Sequence, residues 1–154
     1  MFTDAAHTSP AAASLRELIE SLTHDYHCFL EASDRVTIPH FAQACQNVAR
    51  QRIFVSRSLQ QLAEHYGISL KSSAQVNELT DQLVVLGSER GSSDAPLVKR
   101  FIQTQEEAVN ALNHMMEAYS FPPEIEELLD GHRRQLRSQL SYLNQLSFTL
   151  ALAA

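Results

Sequence analysis

Four side chains on one predicted helix have the types and spacing to hold a metal ion. They are Glu20, His24, His27 and Glu31, at steps of four, three and four. That spacing stacks them on one helix face, and imidazoles with carboxylates suit zinc or iron. The stripe flanks an apolar seam, so the competing reading is a solvated face with local hydrogen bonds. A second candidate is Arg52, which interrupts a run of apolar seam positions. A guanidinium there must find a carboxylate or reach water along a groove, because burying it unpaired is costly. Gln105 and His132 are polar seam positions as well, and core hydrogen bonding is their expected role. Cys28 and Cys45 differ in height along their helices by roughly 6 Å at ~1.5 Å per residue, which makes a disulfide awkward. They read as small core residues. No motif supports a Ser–His–Asp or Cys–His nucleophile.

These side chains are positioned by helices whose seams alternate steps of four and three. The stretch from Phe41 to Tyr66 is the most regular: Phe41, Cys45, Val48, Arg52, Val55, Leu59, Leu62, Tyr66. Gly67 is its expected left-handed stop. A first helix carries Leu15, Ile19, Leu22, Tyr26, Phe29, Ser33 and Val36, with Ser14 and Glu17 as a capping box. It breaks at Thr37-Ile38-Pro39. Residues 1–13, small and polar, read as a flexible N-terminus, and 14–150 as one bundle domain. A third helix starts at Asp94-Ala95-Pro96, with Asp94 as N-cap, and carries Val98, Phe101, Gln105, Ala108, Leu112, Met115 and Tyr119. A fourth opens with Glu124, Glu126 and Glu127 at its positive end. Its seam is read as Ile125, Leu129, His132, Leu136, Leu140 and Leu143. Gly131 inside it predicts close approach of a neighbouring helix. Within the long 67–95 connection, Ser73 to Leu86 has a short helical pattern (Val76, Leu79, Leu83, Leu86). The fold class is therefore all-α: a four-helix bundle with a short extra helix in the helix 2–3 crossover.

Composition narrows the function classes. The 154 residues are 44% hydrophobic and 19% charged, as suits a globular chain with a real core. A net charge of −6 argues against nucleic acid as a partner. No apolar run predicts a membrane span, and the first residues do not read as a secretory signal. With two cysteines in no metal-type pairing, the cytoplasm is the expected location. The apolar end of helix 4, Leu146 to Leu152, predicts a surface for a homodimer.

The segment Leu15, Leu18, Ile19, Glu20, then Phe29, Glu31, Ala32, resembles the first helix of a bacterial family of unknown function. That family is a set of small four-helix bundles placed among the ferritin-like proteins. Helix 2 is similar through Arg52 and Leu59, and Glu106-Glu107 sits where the family has an acidic patch. The resemblance implies a ferritin-like bundle with helices 2 and 3 parallel, and it brings no activity or catalytic residues. In those helix directions Asp25, Arg52 and Glu107 fall in one layer, with His132 in the next. Arg52 is then expected to pair with Glu106 or Glu107, in space that a metal occupies in relatives. Metal-binding members of the wider superfamily place Glu-x-x-His on each of two helices. No such motif occurs in this chain.

The function expected on this basis is non-enzymatic: structural or protein-interaction, stress-linked by fold analogy, with an unknown protein partner and no cofactor. The alternative is a metal-binding or redox bundle taking iron, manganese or zinc at Glu20, His24, His27, Glu31, Glu106, Glu107 and His132. An acidic secretion chaperone is a third reading.

Overall fold

A computed structural model describes residues 9–70 and 94–153. They form four helices: α1 (Pro10–Ser33), α2 (Pro39–His65), α3 (Ala95–Ala118) and α4 (Pro123–Ala153). No strand occurs among the described residues, and none of the helices is long and apolar enough to cross a membrane. The expected short helix from Ser73 to Leu86 lies outside the described residues, as do residues 1–8.

The seams become the core. Phe41, Cys45, Val48, Arg52, Val55 and Leu59 are all buried on α2, and Val98, Phe101, Gln105, Leu112 and Met115 on α3. Helix α1 starts earlier than its expected cap at Ser14. Ser9 caps it, its hydroxyl accepting from the Ala12 amide at 3.2 Å. Pro10 follows at N1 and three alanines then favour helix, so residues 10–13 belong to the bundle. At the other end of α2, Gly67 takes φ +71° and stops the helix as expected.

Asp94 corrects a second boundary expectation. Its carboxylate makes no cap hydrogen bond to its own helix. It accepts instead from the Thr37 and Ile38 amides at 3.0 and 2.9 Å and from the Thr37 hydroxyl at 3.2 Å. The N-cap of α2 is Ile38, which has no side-chain acceptor. Asp94 supplies one from across the bundle.

That contact also sets directions. The starts of α2 and α3 lie at one end, so these two helices run parallel. Asp25 meets Arg52, Phe29 stacks on Phe101, Tyr66 bonds Glu124, and Gln105 bonds Gln139. Each neighbouring pair is therefore antiparallel, and the order is up, down, down, up.

Gly131 does not have the neighbour its position predicts. A Cβ built there would meet only the Arg134 guanidinium, at 3.8 Å. Among the described residues nothing else stands over it.

Candidate functional site

Every helix contributes to a polar layer at the middle of the bundle. Arg52 of α2 is its hub and is fully buried. Its Nη2 donates to Gln105 Oε1 of α3 at 2.6 Å and to Gln139 Oε1 of α4 at 2.9 Å. Its Nε lies 3.5 Å from Asp25 Oδ2 of α1. Gln105 Nε2 donates to Gln139 Oε1 at 2.8 Å, and Gln139 in turn donates to Gln51. The Phe29 ring closes one side, its centroid 5.7 Å from the guanidinium carbon.

The local sequence explains these placements. Position 52 is a seam position of α2, and 105 is one of α3, so both must point inward. Glu106 and Glu107, the expected partners of Arg52, are one and two residues past Gln105. At 100° per residue they turn away from the axis, and both are exposed. Glu107 instead accepts from Gln103 on the outer surface. Gln139 is the seam position that the reading of helix 4 passed over. Strict alternation from Leu129 gives His132, Leu136, Gln139, Leu143 and Leu146. The leucine at 140 drew the pattern one residue off. Gln51, beside Arg52, carries no such signal.

The electrostatics follow from burial. Removal from water pushes the Asp25 carboxyl above its ordinary range, against the pull of the Arg52 guanidinium. Burial pulls Arg52 down too, but arginine starts so high that it stays charged. Arg52 Nη1 has no hydrogen-bond partner among the described residues. His132, buried two turns along α4 from Gln139, is pulled down to about 3 by burial and by the nearby Arg52 charge. It is a neutral imidazole, and its Nδ1 has no partner among the described residues. His132 and Gln105 thus share the core without sharing a bond.

The helix 1 stripe divides. His24 Nε2 lies 3.4 Å from Cys28 Sγ. His27 packs edge-on against Tyr26 on the exposed face. Glu31 pairs with Arg35 at 2.7 Å. Glu20 lines a surface cleft with Arg16, Gln60 and Glu64. Among the described residues, no three His, Cys, Asp or Glu side chains come together as a metal-binding group. Cys28 and Cys45 are free and buried, and burial pushes both thiols up to about 12, far from a reactive thiolate.

The polar layer can hold four helices in one register. It presents no nucleophile and no acid–base pair facing a cavity. No family model, no curated protein and no solved structure matches this chain.

Proposed function

We propose that this chain is a non-enzymatic, ferritin-like bundle of the bacterial family its first two helices resemble, with a structural or protein-interaction role. The observation that carries this reading is Arg52. A fully buried guanidinium sits in the bundle core, the region in which carboxylate bundles of that architecture hold two metal ions. A divalent ion beside it would be repelled through a medium of low dielectric. The other groups in the layer do not fit a dinuclear metal either. Gln105 and Gln139 are neutral amides already bonded to each other, and among the described residues Asp25 is the one carboxylate of the layer.

The up, down, down, up order supports the architecture, since one long connection between α2 and α3 is what a ferritin-like chain requires. Two buried free thiols fit a reducing compartment such as the cytoplasm.

The test is metal analysis of the chain purified without an affinity tag. The expected result is substoichiometric iron, manganese and zinc that a chelator removes without loss of helicity. Near-stoichiometric metal that resists the chelator would overturn this reading in favour of a metal-binding bundle.

A further inference from the structure

The seam between α2 and α4 is looser than those of α1 with α2 and of α3 with α4. It is tied by Tyr66 to Glu124, by Gln51 to Gln139 and by His40 to Tyr142. Between the first two ties it opens into a cleft of about 660 Å³. Val55 and Leu62 form one wall, and Leu128, Gly131 and Gln135 the other. Phe54 stands on the rim, 64% exposed.

Two features of this face have no partner among the described residues, and a third, the charge pattern of α4, is only partly satisfied there, by pairs such as Asp130 with Arg133 and Arg134. Gly131 costs about 1 kcal/mol of helix propensity relative to alanine, yet no element among the described residues needs the room. Phe54 is a large apolar side chain left in water. The charge on α4 is also divided about Gly131. Glu124, Glu126, Glu127 and Asp130 precede it, and Arg133, Arg134 and Arg137 follow it.

A helix with acids before a glycine and bases after it is complementary to itself when reversed. We infer that this cleft is half of a two-fold interface whose other half is a second copy of the chain. The two α4 helices run antiparallel and cross at Gly131, where the missing side chain lets the backbones approach. About that axis, Arg134 of each copy faces Glu127 of the other, since each lies one turn from the crossing. Both side chains line the cleft and both are exposed. Phe54 of each copy is then covered, the aromatic anchor such an interface needs. The surface is distinct from the apolar tail of α4, where Phe148 and Leu152 are exposed. It does not depend on what the bundle centre holds.

The test is sedimentation equilibrium of the full chain. Wild type is expected to be a dimer. Arg134→Glu or Glu127→Arg alone sets like charges opposite each other twice, and should raise the dimer dissociation constant by about 30-fold or more. Circular dichroism should be unchanged, because both positions are exposed. Mixing the two single variants should restore a heterodimer, since each then meets its opposite. Gly131→Leu should dissociate the dimer with no change of charge. A monomer at every concentration would overturn the inference. So would a dimer that survives both reversals, or one that only Phe148→Glu dissociates. A mixture that stays monomeric would exclude the antiparallel crossing.

Discussion

The middle of the bundle and its two ends solve the packing problem differently. One end is aliphatic, built from Leu15, Leu22, Leu59, Leu112, Ile125 and Leu129. The other is aromatic, with Phe29, Phe41 and Phe101 clustered beside Cys45, Val98 and Leu143. Between them lies the Arg52 layer. The apolar ends supply stability but little direction, since dispersion and burial are indifferent to a shift along the axis. The polar layer supplies direction. A seven-residue slip of α3 would face Arg52 with Val98 or Leu112 in place of Gln105. The guanidinium would then lose its acceptors in a medium where that loss is expensive.

Substitutions can sharpen this contrast. The largest effect is expected at the aromatic end. Phe101→Ala removes a buried ring that packs on both Phe29 and Phe41, and should cost about 4 kcal/mol in urea unfolding. In the middle, Asp25→Ala leaves Arg52 buried without its counter-charge and should cost about 3 kcal/mol. The double change Asp25→Leu with Arg52→Met should recover that loss or exceed it, because Gln105 and Gln139 still bond each other. A double variant as unstable as the single would mean that the layer contributes net stability.

His132 adds a pH dependence. Its folded-state value of about 3 lies below the ordinary 6.5. The folded protein therefore refuses a proton that the unfolded chain accepts. Stability is full above about pH 6.5 and falls as the pH drops toward 3. Between about pH 7 and pH 5 the loss from this group should be about 2 kcal/mol, and His132→Leu should abolish that part of the slope. The smallest effect is expected at the bundle's end. Asp94→Ala removes three hydrogen bonds to the start of α2. Its expected cost is about 1–2 kcal/mol, with faster amide exchange at Thr37 and Ile38 as the local readout.

The seams of α2 and α3 were legible residue by residue, because a four-three alternation has one solution when the apolar positions are large. The α4 seam was legible to within one residue. There a leucine at 140 competed with the glutamine at 139, and an amide in a core is not what hydropathy selects. Arg52 was recognisable as buried or snorkelling, but not by which partners. Asp25 was placed in its layer by counting. Charge alone pairs Arg52 with Glu106 or Glu107, yet helix geometry turns both outward. Ser14 and Glu17 make a plausible box, while the cap that forms is Ser9 alone, one residue before Pro10.

Four amphipathic helices, their approximate ends and the inward aim of Arg52 follow from the order of residues alone, since periodicity and capping act within a few positions of the chain. The choice of Gln105 and Gln139 as acceptors, the reach of Asp94 to another helix and the lack of a neighbour over Gly131 among the described residues were decided only when the helices packed. Each joins groups from different helices or depends on a neighbour's absence, and local pattern carries no measure of that distance.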